Sequence, residues 1–129
     1  MMKIEKIHHI AIICSDYLAS KKFYTELLGM SVVREVYREE RYSWKADLAL
    51  NDEYIIELFS FPAPPPRVTT PEACGLRHLA FEVTDIKAAY NELLSKGIAA
   101  EPIRIDEFTD KKFLFFFDPD NLPIELYER

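Results

Sequence analysis

An internal repeat constrains the fold of this chain more than any other feature of its sequence. Residues 9–16 (HIAIICSD) resemble residues 78–85 (HLAFEVTD), and both the His and the Asp recur at an offset of 69 positions. Each Asp is followed by a helix-like stretch that ends in a glycine, Gly29 or Gly97, at an offset of 68, so the second helix or its end has one residue fewer. Self-similarity at a fixed period indicates two copies of one supersecondary unit.

Each copy predicts one helix and four strands. Asp16 and Asp85 can cap free backbone amides at helix starts, and apolar residues at three- and four-residue spacing give each helix one face for a sheet. The other segments are short and rich in β-branched and aromatic residues, as strands are. The predicted strands are 4–14, 31–37, 45–51 and 54–61 in the first copy, and 76–84, 99–104, 113–117 and 123–127 in the second. Each copy is therefore predicted as βαβββ, in an α+β fold.

One domain, residues 1–129, is predicted to contain both copies. The copies span about 4–61 and 75–128, and the residues between them are rich in proline, which cannot donate to a sheet ladder and so favours a spacer. A copy of about 60 residues has a marginal core and would leave one sheet face exposed. The two copies are therefore expected to pair.

Charge and hydropathy exclude several classes of partner. The chain has 22 acidic against 16 basic residues and a formal charge of −6, with no basic stripe, so nucleic acid is not an expected partner. No apolar run approaches the ~20 residues that a membrane helix needs. Lys3, Glu5 and Lys6 interrupt any secretory signal, so the cytoplasm is the expected compartment, where Cys14 and Cys74 need not pair.

The duplication also predicts a metal centre. His9 recurs as His78, and Glu57 recurs as Glu125 at an offset of 68. If the copies pack about a pseudo-two-fold axis, two imidazoles and two carboxylates meet at one centre. This mixed nitrogen and oxygen set favours one divalent ion, Zn, Ni, Co, Mn or Fe(II), over Ca, which prefers oxygen alone.

Each candidate ligand also has a structural interpretation. Glu57 could be a solvent-facing strand residue, and a lone His on a strand is more often a core or rim residue. Against this, Ile55 and Phe59 share the face of Glu57, and a lone carboxylate among apolar neighbours is costly. Recurrence at Glu125 strengthens the ligand interpretation. His8 has no counterpart, because Arg77 holds its equivalent position, and it is predicted to be a neighbour that does not bind metal.

Other residues are weaker candidates. The two cysteines are not equivalent by the repeat and are predicted to be small apolar fillers. Asp118 and Asp120 predict a turn rather than a calcium loop. Four further side chains could face a cavity and hold an anionic substrate, although solvated charges and a core or interface Trp are commoner: Arg41, Trp44, Lys45 and Arg77.

These features together resemble the glyoxalase/bleomycin-resistance/dioxygenase superfamily, also called the vicinal oxygen chelate superfamily. The resemblance covers nearly the whole chain, and it implies two paired βαβββ modules whose sheets curl around a divalent metal. The matching positions, in order, are His9 in HIAI, Asp16, Phe23 and Tyr24, LLGM at 27–30, Glu57 in IIEL, His78 in RHLAF and Glu125 in DPDNLPIEL.

The ligand set suggests one chemistry within that family. Ring-cleaving and fosfomycin-type members resemble a set of two His and one carboxylate, whereas this chain offers two carboxylates. The resemblance therefore implies a metal-dependent glyoxalase I-like enzyme that isomerises the thiohemiacetal of a 2-oxoaldehyde or a related small hydroxycarbonyl substrate. Glu125 is the expected base, with Glu57 as the alternative. An Fe(II) ring-cleaving dioxygenase and a non-catalytic drug-binding protein remain alternatives.

Two further expectations concern partners. Curved open sheets leave edges and apolar faces, which predicts a homodimer that binds a small-molecule substrate. The glutathione-using glyoxalases that the chain resembles have a basic residue four positions after the first ligand and a polar residue four positions after the first Glu ligand. Ile13 and Phe61 hold those positions here. Glutathione is therefore expected to be a poor thiol, with a more apolar pocket for another adduct.

Overall fold

The structure is a computed structural model that describes residues 1–129, in two compact units, Met1–Pro66 and Arg67–Arg129. The first unit contains β1 (Ile10–Cys14), α1 (Tyr17–Lys22), which continues as a π-helical segment (Phe23–Leu27), β2 (Ser31–Arg38), a 3₁₀ turn (Glu39–Arg41), β3 (Ser43–Leu50) and β4 (Glu53–Ser60). The second contains β5 (Leu79–Val83), α2 (Ile86–Ser95), β6 (Arg104–Ile105), β7 (Lys112–Phe117) and β8 (Pro123–Glu128). The predicted βαβββ order and the α+β class are confirmed.

Each unit has one four-stranded mixed sheet with the same topology. The strand orders are β1-β4-β3-β2 and β5-β8-β7-β6. The first strand of each copy pairs in parallel with the last, so that Ala11 lies opposite Glu57 and Ala80 lies opposite Glu125. The repeat in the sequence is therefore also a repeat in the strand register.

One face of each sheet forms the core of its unit. In the first unit Leu48, Ile56 and Leu58 are fully buried, and in the second Leu114 and Ile124 are. These residues alternate along their strands with side chains that remain partly open, as a sheet with one covered face requires. The opposite face of each sheet carries one of the two glutamates, Glu57 or Glu125.

The helix signals act where the sequence placed them. The Asp16 carboxylate accepts a hydrogen bond from the Ala19 amide at 3.1 Å, and Asp85 accepts one from Ala88 at 3.0 Å. The extra residue of the first copy is taken up by the π-helical segment Phe23–Leu27, since a π-helix fits more residues into each turn than an α-helix does. The extra residue in this segment explains why the offset between the two copies changes from 69 before the helices to 68 after them.

Three predicted strands are longer than the strands that form. Residues 4–9 do not join the ladder, since pairing with β4 begins at Ile10. In 76–78 the Arg67 guanidinium binds the carbonyls of Leu76 and Arg77, at 2.6 and 2.9 Å. In 99–103 Pro102 lacks a donor, and a single bond from the Glu101 amide to Phe115 at 2.8 Å takes the place of a ladder.

The predicted turns are confirmed. Asn51 and Asp52 have φ values of 50° and 66°, which suits a tight hairpin between β3 and β4. The Asp118 carboxylate accepts hydrogen bonds from the amides of Asp120 and Leu122, each at 2.9 Å, and so closes the turn between β7 and β8. None of the helices has the length and apolarity that crossing a membrane requires.

Candidate metal centre

The first unit brings His9 and Glu57 together. His9 lies just before β1, and Glu57 lies in the middle of β4, the strand that pairs in parallel with β1. His9 Nε2 is 3.6 Å from Glu57 Oε1. The two predicted ligands of the first copy therefore form a close pair on the open face of their sheet.

The second unit repeats this pair. His78 Nε2 is 3.7 Å from Glu125 Oε1, and both side chains are more than two-thirds buried, with 27% and 15% of their areas exposed. The His78 ring packs edge-on against Phe115, with ring centres 5.1 Å apart. Its Nδ1 atom is buried and has no hydrogen-bond partner. A buried polar atom with no partner is rare in proteins and is typical of functional sites.

His8 holds the first histidine in place. Its Nδ1 is 2.8 Å from His9 Nδ1, so one ring donates a hydrogen bond to the other, and this leaves His9 Nε2 directed at Glu57. His9 also stacks on Tyr54, with ring centres 5.2 Å apart and planes at 16°. Hydrogen bonds of this kind commonly orient metal-binding imidazoles. His8 thus contacts His9, the histidine that the repeat predicts as a ligand.

Charged groups surround Glu57. Lys45 Nζ lies 3.3 Å from Glu57 Oε2 and 2.8 Å from Asp47 Oδ1, and the Tyr54 hydroxyl donates to Asp47 at 3.2 Å. The hydrogen bond to Asp47, with a weaker one to Glu57, raises the pKa of Lys45 and keeps it cationic. Burial, with Asp47 and Glu57 nearby, raises the pKa of Tyr54, so this phenol stays neutral.

Aromatic groups surround Glu125 instead. Phe115 lies directly opposite it on β7, where the first unit has Asp47 opposite Glu57. Phe113 takes the place of Lys45 and stacks on Tyr127 with planes at 12°. His78 is the one ion-pair partner of Glu125 within 4.0 Å. The two equivalent carboxylates therefore lie in unlike environments.

The sequence pattern does not predict this difference, because it depends on the register between β3 and β4. A register shift between Leu48 and Ala49, just beyond the hairpin turn, pairs Lys45 with Phe59 and Asp47 with Glu57. Alternation along β3 then places both charged residues on the face of Glu57. Lys45, considered earlier only as a possible substrate contact, is instead bound to a predicted ligand.

Within each pair, the two side chains are spaced as two ligands of one divalent ion can be. Zinc lies about 2.0–2.2 Å from His nitrogen and carboxylate oxygen, so two ligands of one ion can be up to ~4.2 Å apart. The 3.6 and 3.7 Å separations fall within that limit. Residues 1–129 contain no group of three or more His, Cys, Asp or Glu side chains placed to hold a metal ion. Each unit thus contains one close pair of predicted ligands, half of the predicted set.

A cavity of about 320 Å³ lies beside His78 in the second unit. Two of its arginines are neutralised by acids: Arg77 lies 3.5 Å from Glu72, and Arg104 lies 3.4 Å from Glu101. Other parts of its wall come from Val68, Thr69, Phe115, Phe117 and Pro123. This cavity has the concave, mixed lining of a small-molecule site.

Two of the remaining substrate candidates, Trp44 and Arg41, contact aromatic rings of the first unit. Trp44 alternates with Lys45 and stacks on Tyr17, with ring centres 5.2 Å apart, so it lies away from Glu57. Arg41 lies over the ring of Phe61, with Cζ 5.5 Å from the ring centre. Cys14 is buried and Cys74 is exposed.

The chain belongs to the Glyoxalase/Bleomycin resistance protein/Dioxygenase superfamily, whose sequence model matches residues 6–126. It is 62% identical over 128 residues to the uncharacterized protein YwkD of Bacillus subtilis (strain 168), covering 99% of this chain and 100% of that protein. The crystal structure of a glyoxalase family protein from Enterococcus faecalis is 49% identical, with a TM-score of 0.90 over 98% of this chain and 100% of that one.

Two more distant relatives are enzymes. The chain is 32% identical over 146 residues to the lactoylglutathione lyase of Schizosaccharomyces pombe (strain 972 / ATCC 24843), covering 97% of this chain but only 48% of that enzyme. The trypanothione-dependent glyoxalase I of Leishmania major is 25% identical, with a TM-score of 0.75 over 97% of this chain and 87% of that one.

Proposed function

We propose that the protein is a metal-dependent isomerase of the glyoxalase I type, with one divalent ion bound by His9, Glu57, His78 and Glu125. The observation that carries this proposal is the duplicated pair, in which imidazole and carboxylate are 3.6 Å apart in one unit and 3.7 Å apart in the other, at equivalent register. A binding protein that recognises its ligand by shape has no need of two such pairs.

The surroundings of the two carboxylates support different roles. Glu57 is fixed by Lys45 and kept in a charged network with Asp47. Glu125 has aromatic neighbours, and no Lys or Arg side chain forms an ion pair with it. A carboxylate that is not tethered can move to a substrate carbon, take up a proton and return it to the adjacent carbon. Glu125 is therefore the proposed base and Glu57 the permanent ligand.

A divalent metal held by these residues would supply Lewis acidity, which makes a C–H next to a carbonyl group more acidic. The chain's part is to orient the reacting compound and exclude water. Phe115 covers the side of Glu125 on β7, and a less hydrated carboxylate is a stronger base toward carbon. This division between charged and apolar surroundings is what a proton transfer between neighbouring carbons needs.

The proposed substrate is a small hydroxycarbonyl compound or a thiol adduct other than that of glutathione. Ile13, which is 55% exposed, offers no charge at the position where glutathione-using relatives have a basic residue. The trypanothione dependence of the Leishmania major enzyme supports the idea that the thiol differs among relatives. We further propose that the enzyme is cytoplasmic and works as a homodimer.

The first test measures metal. Protein purified without added chelator is expected to contain one divalent ion for each pair of units, and His78→Ala is expected to lose at least tenfold in metal affinity because a ligand is removed. Glu82→Gln is the matched control: Glu82 lies on β5 of the same unit and pairs with Arg129 at the surface, so metal content should not change. Unchanged metal content in His78→Ala would contradict the assignment.

The second test measures turnover. Glu125→Gln keeps an oxygen donor but cannot accept a proton, so kcat should fall by about 10²–10⁴-fold, the usual contribution of a general base. Glu57→Gln should lower kcat much less if Glu57 is only a ligand. Equal losses in both variants would contradict the division of roles, and oxygen uptake with a catechol would indicate a dioxygenase instead.

A further inference from the structure

Two arginines of the first unit lie on aromatic rings near the His9 and Glu57 pair. Arg38 is the last residue of β2, and its Cζ is 4.7 Å from the ring centre of Phe59 and 5.6 Å from that of Phe61. Arg41 ends the following 3₁₀ turn and lies 5.5 Å from the same Phe61 ring. Two guanidinium groups therefore share one aromatic platform.

Neither of these guanidinium groups has a carboxylate partner. Arg77, Arg104 and Arg129 lie within 4.0 Å of a glutamate, and Arg67 binds two backbone carbonyls. No acid lies within 4.0 Å of Arg38 or Arg41. This holds in a chain with 22 acidic and 16 basic residues, where acids are abundant. Two adjacent positive charges without counter-ions favour an anion.

Arg38 is held by one hydrogen bond and has a second N–H group without an acceptor. Its Nη2 donates to the hydroxyl of Ser43, a fully buried residue, at 2.9 Å. Its Nε is buried and has no acceptor. A buried N–H without an acceptor is destabilising, and a bound ion is one way to satisfy it. The remaining N–H groups of Arg38 and those of the exposed Arg41 are donors of the kind that bind carboxylate or phosphate oxygens.

The position of this platform relates it to the proposed reaction. Phe59 lies two residues beyond Glu57 on the same face of β4, which is roughly 7 Å along a strand. Lys45, which binds Glu57, lies directly opposite Phe59 on β3. One small compound can therefore present its reacting oxygens beside Glu57 and an anionic end to the arginines.

We propose that Arg38 and Arg41, stacked on Phe59 and Phe61, form a subsite for an anionic group of the substrate, a carboxylate or a phosphate. This inference rests on the proposed function for its substrate, a small hydroxycarbonyl compound, and adds the anionic group. Phe61 holds the position where glutathione-using relatives have a polar residue. Here the charge comes instead from the segment between β2 and β3, and it suits one terminal anion.

The test follows the arginine Nε–H signals by NMR while inorganic phosphate or acetate is added to the full-length protein as purified. Sodium chloride keeps the ionic strength constant, because exposed charges respond to salt. The Arg38 signal, assigned by its loss in Arg38→Lys, is expected to shift and saturate with at least one of the two anions. Saturation with phosphate indicates a phosphorylated substrate, and saturation with acetate indicates a carboxylate.

Variants separate the subsite from general charge. Arg38→Lys keeps the charge but loses the fork, and Arg41→Gln loses one cation, so each should weaken the anion at least fivefold, followed through the remaining signals. Lys22→Gln removes the same charge from an exposed lysine of α1 that pairs with Glu26, and it should change the dissociation constant less than twofold. A shift that does not saturate, or equal weakening in Lys22→Gln, would overturn the subsite.

The two proposals can fail separately. Anion binding is measured without turnover, so a protein that binds anions but contains no metal would contradict the proposed function and leave the subsite standing. A metal-loaded enzyme that turns over substrate and binds neither anion would do the reverse.

Discussion

At the scale of single residues, the equivalent glutamates show how neighbours can divide one motif into two roles. Glu57 and Glu125 occupy the same place in the repeat and the same register beside the first strand of their copy. What distinguishes them is the residue opposite, Asp47 in one case and Phe115 in the other. Motif matching alone could not assign a role to either glutamate.

The thiol prediction belongs to this scale. A carboxylate that is desolvated without a charged partner loses on the order of 1.5–3 kcal/mol, or roughly ten- to a hundredfold in affinity. With Ile13 in place of a basic residue, the methylglyoxal–glutathione adduct should be a poor substrate of the nickel- or zinc-loaded protein. A steady-state assay that gave kcat/KM in the usual range of about 10⁴–10⁸ M⁻¹s⁻¹ would contradict this expectation.

At the scale of elements, an ionic contact ties the first helix to its sheet. The Tyr17 hydroxyl donates to Glu35 on β2, and Lys21 Nζ lies 2.7 Å from the same carboxylate. The hydrogen bonds from Lys21 and then from Tyr17 lower the pKa of Glu35, whereas burial and the bond to Glu35 raise the pKa of Tyr17. At neutral pH the network is therefore a phenol, an ammonium and a carboxylate.

This network predicts an acid-dependent part of stability. Since the folded pKa of Glu35 is lower than its unfolded value of about 4.3, its contribution is present above that value and is lost as pH falls through the folded pKa. Urea unfolding should show Glu35→Gln to be about 1 kcal/mol less stable than the native chain at pH 7, with the gap narrowing toward pH 3. Glu26→Gln, at an exposed pair, is the control. A gap that is constant with pH would argue against the network.

A second prediction concerns the π-helical segment. Removing Thr25 from it should restore α-helical spacing and the cap-to-glycine length of the second copy, so the variant should stay folded. Removing Glu92 from α2 should destabilise the protein more, because a deletion in a regular helix rotates the following residues by about 100° and moves Leu93 off the buried face. Thermal unfolding of the two variants compares them, and equal losses would contradict the proposed origin of the segment.

Much of the element pattern could be predicted from sequence, because local signals and tertiary structure agree. The caps Asp16 and Asp85 and the turn at Asn51 lie where the pattern placed them. The errors came from contacts over distance. Arg67 donates hydrogen bonds to the carbonyls of Leu76 and Arg77, just before β5. These bonds depend on the path that the spacer takes in the folded chain, which no local pattern reveals.

The site was predictable in part for the same reason. Recurrence identified both His–Glu pairs, since the repeat relates them directly, and the close approach within each pair agrees with that expectation. The aromatic platform under Arg38 was not predictable, because it joins side chains from β2 and β4, two strands separated by β3 in the sheet. To predict charge pairs across strands, one needs the register between the strands as well as the alternation of side chains along each strand.

At the scale of the whole molecule, assembly is the main expectation. The outer strands of the two sheets, β1 and β2 in one and β5 and β6 in the other, each pair with a neighbour in their sheet on one side only. We therefore expect a homodimer at micromolar concentration, with a mass by light scattering of twice that of the chain. A strictly monomeric mass under the same conditions would contradict this prediction.

The unlike surroundings of the two glutamates have a consequence for how such a protein could arise. A single ancestral module with one His–Glu pair would need a second, identical module to complete the four proposed donors, and every mutation beside its carboxylate would then occur twice in the proposed centre. Once the gene was duplicated and fused, each half could mutate alone. Lys45 and Asp47 beside one glutamate, with Phe113 and Phe115 beside the other, form an asymmetry that only a fused chain can inherit.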